Sequence, residues 1–587
     1  MKKSYTFKIG GPAGFGILST GLIFSKTVSR SGYHLFDYFE YPSLIRGGHN
    51  VTETHFAKTP VFSQEEGVDV LVSLNKETYE LHKKEMKTGA VVIYDPDSFE
   101  IPKDATYKKD YILAPVPFTS LLSKIGGLKL MENNVALGAV CALFKIDPAI
   151  LFSAIKEEFL NKGEKIIAKN QEAAKVGYDW INDKKIVLKS FIETMTDSSK
   201  IFKKAVLTGN EAVGLGAIAG GCKFYSAYPM TPSSAILHTL AKYAQKVGMV
   251  VRHPEDEIAA ISEAVGASFA GVRSMVGTSG GGFSLMIESV SLAGMTERGI
   301  VIIIGQRPGP ATGMPTWTEQ GDLLFAIRSG HGEFPKIVLA PGDIAETFKL
   351  TIKALNLADI YQTPVIVLTD KFTGESHQNL SIADFDNLNI PIENGKWEND
   401  SKPEKEKINS FHRYKTMTDG ISPRILPGTK GFYFQENSYE HLEDGHTSEL
   451  SEERIKQVNK RNKKLATYLS SHFEAPKLYG KTEADITLIG WGSVKGPILE
   501  ALLNREDEIN NKKVNFLHFT HLWPLDREEM KRELGKHKRL VLIENNSTAQ
   551  LAQLLEGQTG VEIKEKFLKY DGRPFYPKEI TDLINKL

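Results

Sequence analysis

Four short stretches in the middle of the chain bring together side chains suited to chemistry on a small anion. In Tyr228-Pro229-Met230-Thr231-Pro232-Ser233-Ser234 two prolines restrict the backbone, so three hydroxyls can point to one place. Thr231 or Ser233 would serve equally as the N-cap of an apolar helix over 235–245. The two roles are compatible, because a helix N-terminus also attracts anionic groups. Next, His253-Pro254-Glu255-Asp256-Glu257 precedes a small-residue helix over 258–270. An acid buried against such a helix has a raised pKa and suits a proton relay. The plainer reading is that acids are favoured in a helix's first turn. Thr278-Ser279-Gly280-Gly281-Gly282-Phe283-Ser284 is a glycine turn ahead of another helix. Finally, the apolar run 300–304 leads into Gly305-Gln306-Arg307-Pro308-Gly309-Pro310-Ala311-Thr312. Ligands of open α/β sheets bind outside the carboxyl ends of the strands. Arg307 stands at such an end and suits bidentate capture of a carboxylate, or else an interface salt bridge.

A fifth stretch lies near the N-terminus. Between a strand over 5–9 and a helix over 17–31, the turn reads Gly11-x-x-Gly14-x-Gly16. Backbone N–H groups at such a turn can hold an anion. Asp37, about 20 residues further on, keeps a dinucleotide reading open, although the spacing is not G-x-G-x-x-G. A purely steric turn is the alternative. Arg46-Gly47-Gly48-His49 is either a glycine loop that brings a cation to an anionic ligand or a domain contact. Gly11, Gly14, Gly16 and Arg46 are the candidate anion-binding residues of this part.

These residues need elements to position them, and the chain reads as alternating strand and helix. Strand-like runs at 68–74, 90–94, 299–305, 336–340, 363–370, 486–490, 514–519 and 540–544 argue for parallel α/β sheets. The expected organisation is an α/β domain over 1–185 and a linker over 186–204, rich in lysine. A second α/β domain over 205–375, a connecting segment over 376–480 and a third α/β domain over 481–587 follow. Residues 384–408 read as a polar loop, and 449–473 as a charged helix. The length of 587 residues suits three or four domains.

Composition narrows the function classes. Lys+Arg and Asp+Glu are both 72, so no net charge argues for nucleic acid or anionic membrane. Cys141 and Cys222 are too few for a disulfide framework, a four-cysteine iron–sulfur site or a four-thiolate zinc site, and no metal ligands are expected in this chain. Lys8 interrupts the first apolar run, and no run approaches 18 apolar residues. A cytoplasmic protein without a membrane segment is expected.

Taken in order, Tyr-Pro-Met-Thr-Pro-Ser-Ser, Glu-Asp-Glu-Ile-Ala-Ala, Thr-Ser-Gly-Gly-Gly-Phe-Ser-Leu-Met and Gln-Arg-Pro-Gly-Pro-Ala-Thr-Gly-Met-Pro-Thr resemble the alpha subunit of 2-oxoacid:ferredoxin oxidoreductases. Gly-Gly-Pro-Ala-Gly-Phe-Gly and Arg-Gly-Gly-His resemble a gamma domain fused at the N-terminus. Arg413-Tyr414, Asp419-Gly420-Ile421-Ser422-Pro423-Arg424 and Ile489-Gly490-Trp491-Gly492-Ser493 fit the later part, and the fused form is most similar to 2-oxoglutarate enzymes.

The resemblance implies a gamma-like domain, a pyrimidine-binding domain and a transketolase C-terminal-like domain. It also implies thiamine diphosphate chemistry, in which a 2-oxoacid is decarboxylated, coenzyme A takes the acyl group and ferredoxin takes the electrons. It assigns Glu257 to the cofactor's aminopyrimidine ring, with Glu263 as second choice. Tyr228 and Pro229 fall beside the cofactor and Thr231 beside the reacting centre. Arg307 falls on the substrate carboxylate, with Thr312 lining the pocket. Pro308 and Ala311 depart from the Gly and Ser of many relatives, and Ser262-Glu263 from smaller residues. No Gly-Asp-Gly is present, since the pairs continue as Gly321-Asp322-Leu323 and Gly342-Asp343-Ile344. A beta subunit is therefore expected to bring the diphosphate site, Mg2+ and a [4Fe-4S] cluster, in a dimer of alpha–beta units. An NAD-dependent dehydrogenase and a non-catalytic assembly subunit are the competing readings.

Overall fold

The computed structural model describes residues 4–44, 47–101, 111–189, 204–388, 390–398, 409–510 and 512–587. The expected α/β class is what they form, in three main sheets. The apolar run Ile300–Gln306 is the centre of a sheet that also contains Pro364–Asp370, Ser274–Thr278, Ile337–Leu339, Phe224–Ser226 and Val250–Arg252, all parallel. Its Val and Ile side chains are fully buried, as expected of a strand covered by helices on both faces. One edge is closed by His521–Trp523, which arrives from the C-terminal part and pairs antiparallel with Ile337–Leu339. The C-terminal sheet runs in the order Lys477–Gly480, Val514–Phe519, Ile486–Trp491, Leu540–Glu544, Glu565–Leu568.

The N-terminal sheet differs from the parallel arrangement expected. Ile112–Pro115, Met86–Tyr94, Val68–Ser73 and Ser4–Pro12 are parallel, but His49–Ala57 and His34–Glu40 continue the sheet antiparallel. Polar residues are threaded through both of these strands, in His34-Leu-Phe-Asp-Tyr-Phe-Glu40 and His49-Asn-Val-Thr-Glu-Thr-His-Phe-Ala57, so no apolar run announces them. Two further strands, His377–Ser381 and Lys204–Thr208, extend this sheet from the far side of the second unit. The seam is polar and specific. Asp37, 1 % exposed, accepts hydrogen bonds from Ser25 Oγ at 2.9 Å, His377 N at 2.8 Å and His377 Nδ1 at 2.9 Å. Asn379 Nδ2 donates to Tyr33 O at 2.8 Å.

The chain is helical over Ile382–Leu388, where its polarity suggested a loop. The charged helix is Ser451–Ser471, and it is not a solvated face throughout. Lys460 and Lys464 are buried on Glu297, at 2.5 and 2.6 Å. Burial alone would raise the Glu297 carboxyl, but Lys460, Lys464 and Arg413 hold it well below the usual range. Among the described residues no helix is long and apolar enough to cross a membrane.

Candidate active site

Asp256 has an extended backbone, and its carboxylate accepts the Ala259 N–H at 2.8 Å, capping the helix Glu257–Phe269. The cap makes Glu257 the first helical residue and turns it inward, where it is 3 % exposed. Its Oε1 is buried and has no hydrogen-bond partner among the described residues. A buried acceptor left unpaired costs about 1–3 kcal/mol, so such an atom calls for a water, a ligand or a functional role to account for it. Gly282, in the first turn of the helix Gly280–Met295, faces this carboxylate. A Cβ there would stand 2.6 Å from Glu257 Oε1 and 2.8 Å from its Cγ, and would clash with Thr278 Oγ1 as well. The glycine turn is therefore what lets the acid and the helix N-terminus approach.

Two loops converge on that N-terminus. Ser279 Oγ donates to Met230 Sδ at 2.6 Å, tying the Tyr-Pro-Met-Thr loop to the glycine turn. Asn210 Nδ2 donates to Pro232 O at 2.8 Å and anchors the loop from below. Neither Thr231 nor Ser233 caps the helix Ser234–Val247. Ser233 stands at the N-cap position without a side-chain cap bond, and its hydroxyl turns back to Met230 O at 2.8 Å. Arg307, at the end of the central strand, donates from Nη1 to Thr231 O at 2.6 Å. The Pro-Gly-Pro loop that follows folds back over the turn, so Ala311 O would lie 3.8 Å from a Cβ on Gly281.

Arg307 is half-buried and its guanidinium pKa is lowered by that burial. Beside it stands Asp322, whose carboxyl burial pushes up to about 6 against the pull of Arg307. Asp322 N–H donates to Gln306 Oε1 at 3.0 Å, and a Cβ on Gly280 would meet the Asp322 carboxylate at 2.6 Å. Glu319 is also raised, by burial and then by Asp322. Sequence reasoning noticed Asp322 only as part of a Gly-Asp pair that is not Gly-Asp-Gly. Its place beside Arg307 depends on the fold-back of the intervening loop, which no local pattern signals.

Of the sequence candidates, Glu257, Thr231 and Arg307 gather around the glycine turn. Tyr228, Pro229 and Thr312 are exposed at its rim, with the Tyr228 ring edge-on to His253 at 6.0 Å. Residues 309–314 are exposed too, including Met314. An open rim of Tyr, Pro and Met on a turn with an orphaned carboxylate has the form of one half of a site. Glu263 is committed elsewhere: Ser226 Oγ donates to it at 2.8 Å and Arg252 lies at 3.8 Å.

The N-terminal glycine turn is shaped by sterics. Gly14 and Gly16 have φ of 88° and 71°, and a Cβ on Gly11 would press on Ile17 and Leu74 at 3.2 Å. Open space lies in front of Gly14. The buried Asp37 is bonded to His377 and is closed to a ribose, which removes the support for a dinucleotide there. Arg46 lies outside the described residues.

Comparison with known proteins agrees with this geometry. Residues 215–460 match a family model described as pyruvate flavodoxin/ferredoxin oxidoreductase, thiamine diP-bdg. Residues 6–180 match one described as pyruvate ferredoxin/flavodoxin oxidoreductase. A 2-oxoacid:ferredoxin oxidoreductase subunit alpha of Sulfolobus sp is 33% identical over 99% of this chain and 96% of its own. The 2-oxoglutarate synthase subunit KorA of Methanothermobacter thermautotrophicus is 30% identical over 65% of this chain and 98% of its own. Among solved structures, 2-oxoglutarate:ferredoxin oxidoreductase from Magnetococcus marinus, with 2-oxoglutarate, coenzyme A and succinyl-CoA bound, superposes with a TM-score of 0.89 at 30% identity, covering 100% of both chains.

Proposed function

The chain belongs to the 2-oxoacid:ferredoxin oxidoreductases, as an alpha subunit, and from that premise we propose that it carries the proton-relay and carboxylate-gripping half of an active site completed by a beta subunit. The observation that carries this is the buried, unpartnered Oε1 of Glu257 at the glycine turn. Such an acceptor fits a ring N–H of thiamine diphosphate, and the family match over 215–460 supports that cofactor. When bound, thiamine diphosphate supplies a nucleophilic carbon and an electron sink for decarboxylation.

The chain's own residues then divide the work. Glu257 would hold the cofactor's aminopyrimidine ring through Oε1 and move a proton at that atom. Its burial in a water-poor turn keeps that proton from solvent. Tyr228 and Pro229, both exposed, would form the rim beside the ring. Arg307 keeps one N–H on Thr231 O, so its remaining donors face outward at a strand end, fixed in direction, to take the carboxylate of a 2-oxoacid. Thr231 is thereby held beside the reacting centre, and Thr312 closes the rim from the arginine loop. Gly14 and Gly16 are exposed at the turn of the gamma-like domain and would be the backbone open to an anion there, Gly11 being buried in the preceding strand.

The substrate proposed is 2-oxoglutarate, named in two of the matches, the KorA subunit and the Magnetococcus marinus enzyme, giving succinyl-CoA and CO2 with coenzyme A. A [4Fe-4S] cluster of the beta subunit would carry the two electrons, one at a time, to ferredoxin. That subunit also holds Mg2+, in a dimer of alpha–beta units. The deciding variant is Glu257→Gln in the copurified complex, assayed by viologen reduction with 2-oxoglutarate and coenzyme A. Loss of the relay lowers the rate on the order of 10²–10⁴-fold. A rate within about threefold of wild type moves the role away from Glu257.

A further inference from the structure

A second cluster lies where the N-terminal sheet meets the C-terminal domain. His55 stands near the end of the strand His49–Ala57 and is fully buried. The loop that follows it carries Glu65, 8 % exposed. Glu500, 2 % exposed, comes from the opposite side, at the start of the π-helical turn Glu500–Asn504. One nitrogen of His55 and one oxygen of each glutamate all lie within 4.8 Å of one another. π-turns inside helices often re-aim a side chain at a functional site.

The histidine supplies the second, independent observation. Its Nδ1 is 2.8 Å from Ser63 O, a bond that fixes the proton on Nδ1. Nε2 is left as a bare lone pair, buried and without a partner among the described residues. A bare lone pair buried in a cluster with two carboxylates meets no donor there, and a cation held among the three groups would satisfy it. An imidazole anchored through Nδ1 to a backbone carbonyl is also the usual posture of a metal-ligating histidine. The glutamates keep the capacity to join in. Glu500 Oε2 accepts Phe62 N at 2.7 Å and Oε1 accepts Asn504 Nδ2 at 2.7 Å, while Glu65 Oε1 accepts Glu66 N at 2.9 Å and pairs with Arg505. A carboxylate oxygen has a second lone pair beyond each such bond.

We propose that His55, Glu65 and Glu500 form a divalent-cation site, of the zinc or manganese class, that pins the N-terminal sheet to the C-terminal domain. One imidazole and two carboxylates is a donor set for borderline cations rather than for calcium. Ligand bonds of about 2.0–2.2 Å place tetrahedral donors roughly 3.4 Å apart, so the side chains close by about 1 Å around the ion, and water takes the fourth position. The cleft of about 460 Å³ that reaches Glu500 is lined by Glu66, Asp69, Asp507 and Glu508 against Lys87 and Arg505, a net negative path for a cation. The expectation that this chain holds no metal rested on its cysteines and did not weigh residues this far apart in sequence.

The test uses the full-length chain, stripped with chelator, reloaded with Zn2+ or Mn2+, desalted and measured by elemental mass spectrometry. Wild type is expected to retain about one equivalent of Zn2+ per chain and to melt several degrees higher with it. His55→Gln and Glu500→Gln are expected to retain less than a tenth of that and to show no Zn2+-dependent shift, with unchanged far-UV circular dichroism. Equal retention by wild type and both variants, or none by wild type, overturns the proposal. Should the variants fail to fold, Co2+ titration of wild type decides: a saturable visible absorption at one equivalent supports the site, and its absence refutes it. None of these readouts depends on oxoacid turnover, so the outcome stands apart from the role given to Glu257.

Discussion

Gly282→Ala tests the geometry of the relay without touching its acid. The added Cβ would stand 2.6 Å from Glu257 Oε1, whereas ordinary contact begins near 3.4 Å. The carboxylate is the movable end of a side chain, and the helix that carries Gly282 is held by its own backbone bonds. Glu257 therefore gives way, by about 0.8 Å, a displacement that costs catalysis on the order of 10–10²-fold by the rule that 1 Å of misplacement loses about 10². Overpacking also lowers stability by about 1–3 kcal/mol. The assay is viologen reduction by the alpha–beta complex with saturating 2-oxoglutarate and coenzyme A, paired with a thermal melt. Gly266→Ala is the control: it lies on the same helix as Glu257, and a Cβ there meets nothing within 4 Å. It is expected to keep full activity and to gain about 0.4–1 kcal/mol. Thr278→Ala combined with Gly282→Ala removes the other clash and leaves that with Glu257, so activity should stay low. Full activity in Gly282→Ala, or recovery in the double variant, would refute the placement of Glu257 as the yielding group.

Arg307→Met removes a charge-assisted grip of about 1.5–3 kcal/mol, so KM for the oxoacid should rise roughly 10–150-fold while KM for coenzyme A stays put; an unchanged oxoacid KM would instead favour a non-catalytic role for this chain. Glu544 is buried beneath Trp491 Nε1 at 2.7 Å and Leu551 N at 3.0 Å, and burial pushes its carboxyl up to about 7. An acid whose folded pKa exceeds its unfolded one makes the fold lose stability as pH rises from about 4.5 to 7, by about 3 kcal/mol here. Glu544→Gln keeps an acceptor for both donors, so its melting midpoint should climb relative to wild type between pH 5 and pH 8; a constant difference would show that Glu544 does not titrate in this window.

Much of the candidate site was legible because its residues are close in sequence and of distinctive type. A hydroxyl loop between prolines, an acid at a helix start, a glycine turn and an arginine at a strand end each declare themselves locally. The apolar runs of the central sheet did likewise, since a strand covered on both faces has no polar face to hide it. The strands His34–Glu40 and His49–Ala57 were missed for the opposite reason, as their buried polar residues are satisfied by distant partners such as His377. The resemblance put Glu257 ahead of Glu263. Both sit on one helix, and what the sequence could not show is their surroundings: Ser226 and Arg252 take up Glu263, and Gly282 leaves room for Glu257.

The sequence by itself determined the α/β class, the order of the catalytic motifs and the family they resemble, because those depend on local periodicity and residue type. Tertiary structure alone decided which hydroxyls are not caps, that Glu257 Oε1 is left without a partner, that Asp322 stands beside Arg307, and that His55, Glu65 and Glu500 bring ligand atoms within 4.8 Å of one another. Hydrogen-bond satisfaction and close approach are properties of groups brought together across tens to hundreds of residues, and no local pattern in the chain records them.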